Sequence, residues 1–239
     1  MSPERAPFAA LDDILRRTRY LLIDFDGPFC SLFAGTPTAP VADDLRAVIT
    51  RKEVSLRVAI QNTTDWFEIL AYAASVGPDV GTSVESALTV LETKAVTTAS
   101  PTPYIHDVIA ACHESGRAVG VISNNSASAV RAYLDAHDLA SQVNAIAART
   151  RPDSTILKPS PHLIKEAAST LGASQSTCTV VGDSQSDIQA AHSAGAFSNG
   201  YAKTSADADH LAATGADAVV LSLADLALRL RARVADPDV

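Results

Sequence analysis

The spacing of apolar residues changes character twice along this chain, dividing it into three stretches. In the first, Phe8, Leu11, Ile14 and Leu15 share one face of a short helix over 8–17. The uninterrupted run Tyr20-Leu21-Leu22-Ile23 follows, stopped by Asp24-Phe25-Asp26-Gly27. An apolar run of that length ending in a turn signal predicts a strand buried between helical layers. The segment from Pro28 to Gly35 is too short and mixed for a helix and reads as a turn or small hairpin.

From about 36 to 99 the pattern is helical, without clear strand alternation. Val41, Leu45, Val48 and Ile49 form one stripe, and Trp66, Ile69, Leu70 and Ala73 another. Asp65 with Glu68 and Thr82 with Glu85 have capping-box spacing, so helices are expected to start at both, separated by Gly77-Pro78. Val54–Ile60 fits either a strand or an extended linker. The turn Ser100-Pro101-Thr102-Pro103 closes this helical insertion.

Beyond Pro103 strands and helices alternate. A helix over 104–115 leads to a strand Ala118–Ile122 and a helix over 126–137. A short strand at Ala145–Ala148 and a polar loop follow, then a helix entered through Lys158-Pro159-Ser160-Pro161, with Ser160 as N-cap and Pro161 in the first turn. Strand Thr179–Val181 runs into Gly182-Asp183-Ser184-Gln185-Ser186-Asp187 and a helix ending at Gly195. A further helix, a strand Ala218–Leu221 and a C-terminal helix complete the chain. This alternation predicts an α/β fold with a doubly wound parallel sheet, whose ligands bind beyond the carboxyl ends of the strands. The core is then 1–35 with 100–239, and 36–99 is a small inserted helical domain.

Composition adds exclusions. At 239 residues, 47% hydrophobic and 19% charged, the chain can bury one good core and a smaller module. With 19 basic and 27 acidic side chains it carries a net charge of −8, which disfavours nucleic acid and anionic membrane as partners. Cys30, Cys112 and Cys178 lie far apart with no Cys-x-x-Cys, so neither a disulfide framework nor a zinc site is expected. The N-terminal region carries Glu4, Asp12 and Asp13 and lacks an uninterrupted apolar core, so it does not read as a signal peptide, and no window suggests a membrane span. The expected location is cytoplasmic.

The candidate chemistry lies at the strand ends. Asp24 and Asp26 are two residues apart on extended chain and would face one pocket, where they repel unless a cation or shared proton intervenes. Alternatively they are surface aspartates at a capped strand end. Ser123, Lys158, Asp183 and Asp187 fall at three further loops of the same edge. Several carboxylates, a hydroxyl with adjacent amides and an ammonium suit Mg²⁺ and a phosphoryl group.

These segments resemble the motifs of the haloacid-dehalogenase-like hydrolase superfamily. Asp24-Phe25-Asp26-Gly27 resembles the first, Val121-Ile122-Ser123-Asn124-Asn125 the second, Lys158-Pro159 the third and Gly182-Asp183-Ser184-x-x-Asp187 the fourth. The resemblance covers about 20 to 222, and the insertion falls where the phosphoglycolate-phosphatase-like branch carries a helical cap. It implies a Mg²⁺-dependent phosphatase acting on a small phosphorylated metabolite. In that reading Asp24 is the nucleophile and Asp26 the general acid and base. Asp24, the Asp26 carbonyl and Asp183 hold the metal, with Asp187 supporting from behind. Ser123, the Asn124 amide and Lys158 bind the phosphoryl oxygens, and Gly27 lets the backbone approach. A carboxylate at Asp26 favours a phosphomonoesterase or a phosphomutase over a dehalogenase. A low-turnover phosphometabolite-binding regulatory protein is the alternative of another class. Pro28-Phe29 departs from the usual pattern and implies a stiffer flap.

Plainer readings stand beside these. Asp187 fits a first helical turn, Ser123 a helix cap, Lys158 a surface lysine, Cys30 a packed thiol and Trp66 the core of the insertion. No histidine pair has ligand spacing. Arg51, Lys52, Arg57 and Lys94 are the insertion's basic candidates for a second anionic group.

Overall fold

A computed structural model describes residues 8–34 and 38–232 of the chain. Helix α1 (Ala9–Arg17) leads into β1 (Tyr20–Asp24), followed by the two-residue β2 (Cys30–Ser31). The insertion contributes α2 (Thr38–Arg51), α3 (Val58–Asn62), α4 (Trp66–Val76) and α5 (Pro78–Ala95). Next come β3 (Ser100–Pro101), α6 (Ile105–Glu114), β4 (Ala118–Ser126), α7 (Ala127–Ala136), β5 (Ala145–Arg149) and α8 (His162–Thr170). The chain continues through β6 (Cys178–Gly182), α9 (Gln185–Ala194), β7 (Phe197–Tyr201), α10 (Ser205–Ala213), β8 (Ala218–Val220) and α11 (Leu223–Arg231).

Six parallel strands form one sheet in the order β5-β4-β1-β6-β7-β8. Helices cover both faces because alternate residues of each strand feed opposite cores. Leu21, Ile23, Val119 and Val121 pack towards Ile109, Tyr133 and Leu226. Leu22, Ile122 and Val180 pack on the other side with Leu163, Ile164, Ala167 and Ala191. β1 lies between β4 and β6, and the chain leaves it in opposite directions on the two sides, which makes its carboxyl end the topological switch point.

Both apolar stripes of the insertion meet in its own cluster, where Val41, Leu45 and Ile49 pack with Ile69, Leu70, Val84 and Leu88. Its two ends are tied where β2 pairs antiparallel with β3, so Ser100-Pro101 is a strand and not part of a turn.

Several boundaries differ from the sequence expectation. Thr82 does not start a helix: Gly77 and Pro78 open one 18-residue helix, and the Thr82–Glu85 spacing lies inside it. No strand forms over 54–60, where only the short α3 appears. The helix after Lys158 begins at His162 with Pro161 at the N-cap, one residue later than its cap chemistry suggests. β4 extends to Ser126, and Ser126, not Ser123, caps α7. β7 was missed because Phe197-Ser-Asn-Gly-Tyr201 has no apolar run, although Ser198 and Asn199 are fully buried. Among the described residues, no helix is long and apolar enough to cross a membrane.

Candidate active site

Asp24 is the last residue of β1 and shares its parity with Leu22, which aims it at the layer of α8 and α9. Its Oδ1 accepts a hydrogen bond from the Phe25 amide at 2.8 Å and lies 2.5 Å from Lys158 Nζ. The same ammonium donates to Asp187 Oδ1 at 2.6 Å. Asp187 is wholly buried, and its Oδ2 accepts from the Ser184 amide at 3.1 Å and the Ser184 hydroxyl at 2.6 Å, closing the capping box of α9. Asp187 does lie in the first turn of α9, as the plainer reading expects, while its other oxygen accepts from Lys158. Lys158 is buried, not a surface lysine.

Charge is crowded here. Burial, then the Asp187 carboxylate, push the Asp24 carboxyl well above the ordinary range, with Lys158 opposing. Burial works against the Lys158 ammonium, but Asp187 and Asp24 outweigh it and raise its pKa. Asp183, at the end of β6, is pushed up to about 6 by burial and Asp187, with Lys203 and Lys158 opposing. Burial also raises Asp26, although its Oδ1 accepts from the Leu32 amide at 2.9 Å.

Carboxylate oxygens of Asp24, Asp183 and Asp187 all lie within 4.8 Å of one another. Backbone shape makes room for them. Gly27 has φ +124°, and a Cβ there would lie 2.1 Å from Asp183 Oδ2. Three acids held this close, two of them titrating high, fit a hard divalent cation of the Mg²⁺ type. Asp187 already spends both oxygens on Lys158 and Ser184, so Asp24 and Asp183 are the side chains that could still offer oxygens to such an ion.

A cavity of about 340 Å³ opens over these groups. Asp24, Asp26, Asn124, Lys158 and Asp183 form its floor, and Asp65, Trp66 and Phe67 at the start of α4 form the opposite wall. Trp66 is thus shared between the insertion's packing and the cavity; its ring centroid lies 4.8 Å from that of Phe33, the two planes tilted by 40°. Asp65 caps α4, accepting from the Phe67 amide at 2.8 Å. None of the four basic candidates faces this space. Lys52 pairs with Asp79 at 2.7 Å, Arg57 lies over the Tyr72 ring, Arg51 is exposed, and Lys94 lines a separate cavity.

Ser123 is fully buried behind the floor, its Oγ accepting from the Asn125 amide at 2.9 Å and meeting Asn125 Oδ1 at 3.1 Å. Asn124 locks the second segment to the third, since its Oδ1 accepts from the Lys158 amide at 2.8 Å and its Nδ2 donates to the Lys158 carbonyl at 3.2 Å. Cys30 is buried with its thiol pushed up by burial, which fits a packed residue. Phe29 is buried against Phe25 and Tyr133, anchoring the segment after Gly27.

Sequence reasoning missed Lys203, 3.8 Å from Asp183 Oδ2, because the strand that delivers it was not recognised. It also missed Glu92 and Arg149, a fully buried ion pair of 2.7 Å beside Asn125. Neither residue carries a local motif.

The model of the haloacid dehalogenase-like hydrolase family matches residues 51–200, well over half of the chain. The chain belongs to this family. Phosphoglycolate phosphatase of Salmonella typhi is 34% identical over 98 residues, which is 41% of this chain and only 38% of that protein's length. CbbY from Rhodobacter sphaeroides, in complex with phosphate, superposes with a TM-score of 0.61 at 19% identity, over 87% of this chain and 96% of that one. A haloacid dehalogenase-like protein of unknown function from Agrobacterium tumefaciens gives 0.60 at 19%, over 90% and 98%. At such identities the two structures establish the shared fold. Membership of the hydrolase family thus accounts for the six-stranded core.

Proposed function

We propose that this member of the family is a phosphatase that hydrolyses small phosphomonoesters with Mg²⁺, through a phosphoryl group carried on Asp24. One observation carries the reading: Asp24 is held by Lys158 at 2.5 Å while Asp183 and Asp187 crowd within 4.8 Å, on the floor of a cavity with room for a small ester. Asp24, Asp183 and the backbone carbonyl of Asp26 would hold the ion, which supplies charge neutralisation for the carboxylates and the phosphate.

The chain's own groups divide the work. An Asp24 carboxylate oxygen forms a bond to phosphorus as the bond to the ester oxygen breaks. Asp26, its carboxyl raised by burial, gives a proton to the departing alkoxide and then takes one from the water that releases phosphate. Lys158 holds Asp24 in line and offsets its charge and that of the phosphoryl group. Asn124, fixed by its two bonds to Lys158, presents the turn that meets the remaining oxygens. Asp65, Trp66 and Phe67 meet the leaving group. An acid and two rings, with the one lining cation among the described residues, Lys158, engaged by Asp24 and Asp187 on the floor, favour an uncharged or cationic alcohol over one bearing a carboxylate.

The test is a panel of phosphorylated metabolites assayed for phosphate release with Mg²⁺ and with EDTA. At least one ester is turned over only with the metal, and Asp24→Asn lowers kcat by at least about 10³-fold. Turnover unaffected by that substitution, or none on any ester, rejects the reading.

A further inference from the structure

Regular pairing of β4 with β5 stops at Ser123–Ala148 and resumes at Ser126–Arg149, leaving Asn124 and Asn125 as an irregularity that lines the cavity. A turn pushed out of its ladder has lost partners and needs others to hold one shape. They come from two buried charges. Arg149, with no side-chain exposure, donates its Nε to the Asn124 carbonyl at 2.9 Å. Glu92, equally buried, accepts from the Ser126 amide at 2.9 Å on Oε2 and from Asn125 Nδ2 at 3.2 Å on Oε1. Both Glu92 oxygens lie 2.7 Å from Arg149 Nη2.

Glu92 belongs to α5, within the insertion. Glu85, seven residues earlier and so on nearly the same helix face, binds Arg149 Nη1. The two acids differ in one respect. Glu85 touches Arg149 but none of 123–126, whereas Glu92 touches Arg149, Asn125 and Ser126. Asn125 in turn holds Ser123.

We propose that Glu92, acting with Arg149, is a positioning residue that sets the shape of the 123–126 turn for phosphoryl transfer. The end of α5, inserted by sequence, is then part of the catalytic framework. A buried ion pair is an indifferent source of stability, because desolvation offsets much of its attraction. Bonds to the backbone of one irregular turn are what this pair adds. The inference rests on the phosphatase reading, in which that turn meets the phosphoryl oxygens.

The experiment compares Glu92→Gln, Glu85→Gln and Arg149→Lys with the wild type, using p-nitrophenyl phosphate turnover, orthovanadate inhibition and thermal melting. Displacing a binding group by about 1 Å costs up to about 10²-fold, so Glu92→Gln is expected to lower kcat by roughly 10–100-fold. Vanadate affinity falls in parallel while KM moves less than about threefold. Arg149→Lys keeps the charge but loses the fork that reaches the Asn124 carbonyl, and falls likewise. Glu85→Gln breaks an arm of the same guanidinium and stays within about twofold of wild-type kcat. Should Glu92→Gln fail to fold, the contrast between Arg149→Lys and Glu85→Gln decides. Equal kcat in the two Gln variants, losses that simply follow melting temperature, or wild-type kcat in Arg149→Lys overturns the proposal. A wild type inactive on every phosphomonoester instead rejects the phosphatase reading beneath it.

Discussion

The floor and the wall of the cavity are built to different standards. On the floor, Lys158 bridges two buried carboxylates at 2.5 and 2.6 Å, and Asn124 and Asp187 are each tied at more than one atom. On the wall, Asp65 is exposed, Trp66 and Phe67 are half-buried, and the indole nitrogen of Trp66 finds no acceptor among the described residues. Groups that act on a transition state gain from being held in advance, because no reorganisation is left to the moment of reaction. Groups that meet a variable leaving group need only complementarity. On the proposed phosphatase reading, reaction type is written into the floor and substrate preference into the wall, and each is expected to be disturbed without the other.

The largest expected effect within this contrast belongs to Asp26. If it moves a proton at the leaving oxygen, Asp26→Asn lowers kcat on an alkyl ester such as glycerol phosphate by about 10²–10⁴-fold. The loss on p-nitrophenyl phosphate is smaller, because nitrophenolate departs without a proton. Steady-state rates on the two esters check this, and an equal loss on both would remove Asp26 from the acid role.

Next in size is the metal cradle. Burial and Asp187 push the Asp183 carboxyl up to about 6, against the ordinary value of about 3.9 expected of an unfolded chain, so between these values the folded state holds the proton more tightly. Without metal, its contribution therefore turns unfavourable as pH rises through about 4 to 6, by roughly 1–3 kcal/mol given its partial exposure. Mg²⁺ at a concentration about 100 times its Kd at pH 7.5 would add about 2.7 kcal/mol there, on the order of 5–10 °C in Tm, and the same concentration less at pH 5, where protonated Asp183 weakens binding. In Asp183→Asn both the Mg²⁺ shift and this part of the pH dependence should shrink. Melting curves at the two pH values, with and without Mg²⁺, test it, and an undiminished Mg²⁺ shift in the variant would place the ion elsewhere.

How much of this was readable in the chain follows from the range of each interaction. Asp24, Lys158 and Asp183 each stand beside a strong local signal, an apolar strand or a proline-marked helix entrance, and sheet topology brings those ends together. The parallel sheet was legible for the same reason, except β7, whose buried Ser198 and Asn199 conceal it. Asp187 looks like a first-turn helix residue because it is one; only three dimensions show Lys158 on its other oxygen. Glu92 and Arg149 were illegible because a charge in a helix or at a strand end carries no mark of a partner 57 residues away. The wall was half legible. Its capping aspartate was identifiable, but not that this helix start would face the floor.

The smallest effect is the cleanest probe of the wall. Asn caps a helix about as well as Asp, so Asp65→Asn keeps α4 and its bond to the Phe67 amide while deleting one charge. Against an acid this position repels a leaving group that carries a carboxylate; against an amide it does not. Asp65 is exposed, so water screens it, and one such charge within several ångströms is worth about 1 kcal/mol. KM for phosphoglycolate is thus expected to fall about three- to tenfold in the variant, and KM for glycerol phosphate to change less than twofold. Because the bonds of Asp65 run to Thr63, Phe67 and Glu68 and none to the floor among the described residues, kcat should hold for both. A matched change in the two KM values would show that the wall reads shape and not charge, and a fall in kcat would show that wall and floor are not separable.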